Sequence, residues 1–366
     1  MRIVQVSPFY YPVIGGVERV VKKISEFLAS KGYEVIVVTY NRDRNNKTRY
    51  KSIEEINGVK VIRVNPLIVW SHGSYSPSIA EVVKVLKPDI VHVHVWRHPY
   101  VFQLKNINSI RILQPHSPFY TLQQVGFVTY AYYKLIDNLL GSAIRKYNII
   151  SMTPLEQQLL MKKFNVNSTL IPNGVDDELF SITPRSYDFY LYIGRLSREK
   201  NIFTLLKAYK RSNIKRSLIL AGPDNGIASA IRDYIRKENL NVKYIGEISE
   251  KEKIELLSAC RAIINPSPYE GFGLTLVEAE AIGKPAIIVG HGGQEFAAPP
   301  GLASIMAENS VQSLADALLQ MEDDKIVKVL SQGAKMWAEN FKFSVIIKKY
   351  LEYYLNLFEG KINRVL

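Results

Sequence analysis

Apolar residues in this chain gather into short runs separated by amphipathic stretches, and the alternation repeats from one end to the other. The runs Ile3–Val6, Val35–Thr39, Val59–Val64, Ile90–Val95, Ile110–Gln114 and Ile149–Met152 have the length and composition of strands. Between the first two, Val17, Val20, Val21, Ile24, Phe27 and Leu28 recur at helical spacing over Val17 to Ser30, and Gly32 is placed to end that helix. The pattern restarts with Phe189–Ile193, Leu218–Ala221, Val242–Ile245, Ala262–Asn265 and Ala286–Val289. Strands alternating with helices predict an α/β protein of parallel sheets joined by crossover helices. The turn-rich segment IPNGVDDELFSITPRS falls between the halves and reads as a linker. Two Rossmann-like, doubly wound domains are therefore expected, at 1–172 and 173–342. After about residue 343, Phe343, Ile347, Tyr350, Leu351, Tyr354 and Leu357 mark a terminal helix, expected over 343–366 and able to cross back onto the first domain. Segment 41–57 is polar and basic and reads as an exposed loop. Two such domains would face each other across a cleft, where open α/β sheets bind ligands.

A length of 366 residues agrees with two cores rather than one. No apolar run approaches the ~20 residues that cross a bilayer, and the first twelve residues read as a strand rather than a signal peptide. One cysteine, Cys260, excludes an internal disulfide framework and fits a reducing compartment. Charge is unevenly divided. Residues 1–172 hold 22 Lys and Arg against 10 Asp and Glu, whereas residues 173–366 hold 25 against 24. A basic first half attracts anionic lipid surfaces, nucleic acid or acidic substrates.

Chemistry-bearing residues concentrate at strand ends. In PSPYEGFGLTLVEAEAIGKP (266–285), Glu270 and Glu278 flank the turn Gly271-Phe272-Gly273, and a helical pattern starts at Leu274. A strand feeding a helix through glycines leaves backbone N–H groups at a positive helix end, which favours anionic ligand groups. Two carboxylates beside such donors suit a ligand carrying hydroxyls and phosphates; the plain alternative is a helix cap and a solvated helix residue. Gly15 and Gly16 open the first helix, so backbone there can approach a phosphate or sugar. Arg195 and Lys200 follow the first strand of the second half, a forked cation and a point charge where a diphosphate would sit. His116 follows a strand end and points toward the expected cleft. His92 and His94 alternate onto one face of their strand, yet no neighbouring Asp, Glu or Cys completes a metal site. His98 and Trp96 lie at that strand's mouth and are candidates for an acceptor pocket. The chain has no Asp-x-Asp triplet for metal-bridged diphosphate and no G-x-x-x-x-G-K-[ST] loop.

Taken in order, GGVERV (15–20), KPDIVHVH (87–94), the His116 segment, IPNGVD (171–176), IGRLSREKN (193–201), the 266–285 segment and HGGQEF (291–296) resemble the retaining GT-B glycosyltransferases of family four over nearly the whole chain. The resemblance implies that Gly15 and Gly16 abut the donor diphosphate and sugar. It implies that Arg195 and Lys200 bind the diphosphate and that Glu278 takes the ribose hydroxyls. Glu270 and the amides of Gly271, Phe272, Gly273 and Leu274 would hold the donor sugar, with His116 near the reacting carbon. The donor would be a nucleotide-diphosphate sugar such as GDP-mannose or a UDP-sugar, and neither a cofactor nor a metal would be needed to bind it. The family often carries Gly-Gly-x-Pro-Glu where this chain has Gly292-Gly293-Gln294-Glu295. Transfer with retention would pass through an oxocarbenium-like state, with domain closure excluding water.

The aromatic stretch 119–133, followed by Lys134, Arg145 and Lys146, could hold the protein at an anionic bilayer. The expected acceptor is accordingly a lipid-linked glycan or glycolipid, met at the cytoplasmic face of the cell membrane by a peripheral enzyme. Synthesis of a soluble glucoside or polysaccharide is the alternative on the same fold. Nucleic-acid binding by the basic half leaves the Glu270/Glu278 segment unexplained.

Overall fold

The computed structural model describes all residues except 71–72, 117–118, 120–121, 186–188 and 363–366. Side chains 123, 124 and 362 also lie outside the description. The chain divides into two units, one of residues 1–119, 126–172 and 346–366, the other of 120–125 and 173–345.

The first unit follows the order β1 (Arg2–Val6), α1 (Gly16–Ser30), β2 (Glu34–Tyr40), β3 (Ile53–Ile56), β4 (Val59–Val64), a small hairpin β5 (Ile68–Trp70) and β6 (Gly73–Tyr75), and α2 (Ser78–Leu86). There follow β7 (Ile90–His94), α3 (Pro99–Gln103), β8 (Ile110–Gln114), α4 (Leu122–Ile144), β9 (Asn148–Ser151), α5 (Pro154–Phe164) and β10 (Ser168–Leu170). Eight strands form one sheet in the order β10-β9-β8-β7-β1-β2-β4-β3, parallel except for the β3–β4 pair. Val4, Val6, Val91, Val93 and Leu113 are completely buried in its core. Continuous Val and Ile runs are what a sheet with both faces covered requires.

Segment 41–57 is the expected loop through its middle, exposed over 45–49 and 51–52, but departs from it at both ends. Asn41 and Arg42 are buried, and Ile53–Ile56 is an edge strand paired with β4. Its polarity suits an edge position. The cause of the strand is the Asn57-Gly58 turn, both residues at positive φ (50 and 77), a hairpin signal that composition masks.

The second unit runs β11 (Phe189–Ile193), α6 (Ile202–Ser212), β12 (Ser217–Ala221), α7 (Ala228–Lys237), β13 (Val242–Tyr244), α8 (Glu250–Ala259), β14 (Ala262–Asn265), α9 (Leu274–Ala281), β15 (Ala286–Val289), α10 (Gly293–Ala297), β16 (Ser304–Ala307), α11 (Val311–Gln320) and α12 (Asp324–Ala338). All six strands are parallel, in the order β13-β12-β11-β14-β15-β16. A full capping box, with Ser249 accepting from Glu252 N and Glu252 accepting from Ser249 N, starts α8.

The last helix, α13 (Phe343–Ile362), belongs to the first unit from Ile346 onward. Ile346, Ile347, Tyr350 and Tyr354 are its buried face. The Tyr350 hydroxyl accepts from Gln114 Nε2 at 2.8 Å, and the Tyr354 hydroxyl accepts from Gln5 Nε2 at 3.2 Å. The amphipathic pattern read from the sequence thus marks the face that covers β1 and β8.

Candidate functional site

In the second sheet the chain leaves β11 for β12 and β13 on one side, then returns to β14 on the other. The carboxyl ends of β11 and β14 flank this reversal, the place where open parallel sheets bind ligands. Arg195 and Lys200 follow β11, and Glu270 to Leu274 follow β14. Lys200 Nζ lies 2.5 Å from Glu270 Oε1. Asn201, at φ 57, donates to the Pro266 carbonyl at 3.1 Å and ties the two loops together. Arg195 is exposed.

Glu270 is not a helix cap. Gly273 takes that position with φ 101, a left-handed backbone that favours glycine, and no side chain caps the helix. The main chain of Glu270 is held from both directions by the Gly292–Gln294 turn: Gly293 N donates to its carbonyl at 2.8 Å, and Gln294 Oε1 accepts from its N–H at 2.8 Å. A Cβ at Gly293 would fall 2.1 Å from the Gly271 carbonyl oxygen, so only glycine permits this approach. The carboxyl of Glu270 is pushed up by burial but pulled further down by the charge and hydrogen bond of Lys200, and ends below its ordinary value. It is an acceptor-only group at neutral pH. The Phe272 ring turns inward against Phe296 and Phe341, which leaves only its backbone for a ligand.

Glu278 is not a solvated helix residue either. Buried on α9, it receives Lys253 Nζ from α8 at 2.7 Å. Sequence reasoning passes over Lys253, one of three lysines in the neighbourhood SEKEKIELL and KP, because nothing local sets it apart.

Gly15, Gly16 and His116 belong to the first unit. Gly15 precedes α1 in extended backbone, and a Cβ there would sit 2.2 Å from Glu18 Oε2, the carboxylate that pairs with Arg44 at 2.7 Å. His116 follows β8 at φ 53, and its Nε2 is 2.9 Å from His94 Nδ1. Burial holds the His116 imidazole down to a pKa of about 3. The ring is neutral throughout the physiological range. Trp96 does not line a pocket mouth: it is fully buried, packed on Phe119 and edge-on to Phe164. His98 is buried and stacked on Tyr100. Tyr120 and Thr121, within the aromatic stretch 119–133, lie outside the described residues. Among the described residues, no three His, Cys, Asp or Glu side chains group as a metal site. None of the described helices is long and apolar enough to cross a membrane.

Two units of parallel sheet, with cations and carboxylates gathered at the reversal of the second, are the build of the GT-B glycosyltransferases. Residues 14–179 match the model of Glycosyltransferase Family 4 and residues 178–341 that of the Glycosyl transferases group 1. The chain belongs to that family, and it is a hexosyltransferase. It is 26% identical over 360 residues to a glycogen synthase of Mycobacterium tuberculosis, covering 88% of this chain and 86% of that one. It is 22% identical over 396 residues to the alpha-monoglucosyldiacylglycerol synthase of Acholeplasma laidlawii, covering 98% of this chain and 98% of that one. The solved structure of Anabaena HepE in complex with UDP and glucose shares the fold with a TM-score of 0.78 at 17% identity, covering 97% of this chain and 100% of that one.

Proposed function

We propose that the enzyme moves a hexose, with retention, from a nucleotide-diphosphate sugar to a lipid-linked glycan or glycolipid. The observation that carries the donor half is the Lys200–Glu270 pair, held beside the uncapped start of α9 at the sheet reversal. A diphosphate arriving there draws Lys200 and Arg195 toward its oxygens, and Glu270 is freed to accept from sugar hydroxyls. The amides of Gly271 to Leu274 add donors that need no side chain. Glu278, held by Lys253, takes the ribose hydroxyls. Gly15, Gly16 and His116 act on the diphosphate and the sugar. Catalysis then rests on neutralising the departing nucleoside diphosphate as the glycosidic bond to it breaks. The acceptor hydroxyl supplies the new C–O bond, and its proton leaves with the diphosphate. The donor is bound without a metal in this reading.

Support for a lipid acceptor comes from α4. Val128, Tyr132, Leu135 and Leu139 follow one another at helical spacing and are all exposed, with Phe127 beside them at 76% exposure. Lys134, Arg145 and Lys146 are exposed on the same segment. An apolar stripe bordered by cations fits an anionic bilayer face on the cytoplasmic side. Flotation with anionic vesicles, at low and high salt, tests this; full-length protein that stays at the bottom in both would remove the membrane from the proposal. Thermal shift with GDP-mannose, UDP-glucose and UDP-N-acetylglucosamine tests the donor, and no shift with any would remove the donor site. The glycogen synthase likeness favours a second reading, in which the acceptor is a soluble sugar or polysaccharide. Transfer to free glucosides without vesicle binding would select it.

A further inference from the structure

From His116 a chain of hydrogen bonds, buried beyond its first link, runs through residues of the first sheet to α13. His116 Nε2 meets His94 Nδ1 at 2.9 Å, and His94 Nε2 meets Gln5 Oε1 at 2.7 Å. Gln5 Nε2 donates to the Tyr354 hydroxyl at 3.2 Å, which lies 2.5 Å from His92 Nδ1. The His116 and His94 rings stack at 29° with centroids 5.2 Å apart. Just past the ends of the adjacent strands β7 and β8, Val95 at φ 68 and His116 itself at φ 53 have left-handed backbone. A β-branched residue there is a true outlier, and such strain persists only where surrounding structure enforces it.

The chemistry of each group sets the direction of the chain. An amide oxygen only accepts, so His94 must carry its proton on Nε2. Burial holds the His94 and His92 imidazoles well below their ordinary pKa. A neutral His94 protonated on Nε2 has a lone pair on Nδ1, so the His116 Nε2–H must be the donor. His116, neutral for the same reason, then has its only lone pair on Nδ1. We infer that Gln5 and His94 are positioning residues that lock His116 in the Nε2-protonated tautomer, so that its Nδ1 accepts a hydrogen bond from a hydroxyl of the donor sugar. An imidazole that accepts from a sugar hydroxyl pushes electron density into the ring as the leaving group departs, which favours an oxocarbenium-like state. The sugar in this statement rests on the glycosyltransfer proposed above; the tautomer does not.

The tautomer is directly observable. In full-length protein labelled with 15N-histidine, long-range proton–nitrogen correlation separates protonated from unprotonated ring nitrogens for the six histidines, assigned by removing each in turn. The expected result is a protonated Nε2 and a bare Nδ1 on both His94 and His116. A proton on His116 Nδ1, the pattern that a reversed Gln5 amide would impose, or a mixture of both forms, would overturn the inference. Turnover provides the second readout. Gln5→Met removes donor and acceptor at similar volume, whereas Gln5→Glu keeps the acceptor. Gln5→Met should lower kcat by about tenfold with donor KM within about twofold, as outer positioning groups do, and Gln5→Glu should recover most of it. Equal losses in both variants, or a change in KM alone, would refute the positioning role. A locked Nε2 tautomer in protein that binds no nucleotide sugar would instead overturn the sugar assignment together with the proposed function.

Discussion

Replacing Lys253 by methionine keeps the length of the side chain and removes the ammonium that lies 2.7 Å from the Glu278 carboxylate. Both groups are nearly buried, with side-chain exposures of 8% and 4%. At that distance the gross attraction is about 6 kcal/mol for an effective dielectric near 20. Much of it is offset by the cost of desolvating two charges, so the pair itself adds little net stability. Removing one partner is a different matter, because the other charge stays in the interior without its ammonium, and that costs about 3–5 kcal/mol. Glu250, the second carboxylate on Lys253, is half exposed and recovers its hydration. The expected loss for Lys253→Met is therefore about 3 kcal/mol, and the double variant Lys253→Met/Glu278→Gln should regain at least half of it. Urea unfolding followed by hydrogen exchange of the α8 and α9 peptides reads the second unit alone. A loss below about 1 kcal/mol, or single-variant effects that simply add, would show that the pair is not the buried, mutually dependent contact described.

Glu278→Gln alone should weaken nucleotide-sugar binding about tenfold, measured by calorimetry, since a carboxylate accepting from hydroxyls contributes about 1.5–3 kcal/mol. His116→Ala should depress kcat more than donor affinity, and steady-state kinetics with varied donor separates the two. The first unit should lose stability in acid. His92, His94 and His116 all have depressed pKa values, so their contribution is complete above about 6.5 and is lost as pH falls toward about 3 for His116. By linkage His116 alone contributes up to about 2 kcal/mol of that loss between pH 6.5 and 5, and His92 and His94 act in the same direction. Glu156, pushed up to about 7 by burial, acts in the opposite direction: its contribution is present below about 4.5 and lost as pH rises through 7. Three histidines outweigh one carboxyl, so the urea midpoint should fall between pH 6.5 and 5; a rise would refute this account.

Features that local spacing encodes were legible in the sequence. The strand runs, the Gly32 stop and the strand-turn-helix around Glu270 all appear where periodicity places them, to within a residue or two. The alternation in IVHVHV correctly put His92 and His94 on one face, yet nothing in it names their partners. Those come from β1, from His116 beyond β8 and from α13, 262 residues away in the case of His92 and Tyr354. Lys253 was hidden for a similar reason: burial of one lysine among several depends on α9 packing beside it. Trp96 misled because an aromatic just past a strand end gives no local sign of whether it turns toward solvent or into the core. The edge strand β3 is set by the Asn57-Gly58 turn, a signal that the charge of segment 41–57 masks.

The placement of Tyr350 and Tyr354 has a consequence for biosynthesis. Gln114 sits in the first unit, but the hydroxyl that satisfies its buried amide lies 236 residues further along. At about 5–20 residues per second, a ribosome delivers that partner roughly ten to fifty seconds later. During that interval the nascent first unit carries polar amides with no side chain to receive them, facing β1 and β8 surfaces still open to water. A fragment of residues 1–172 made alone would stay in that condition, and supplying the α13 segment in trans is the natural way to complete it.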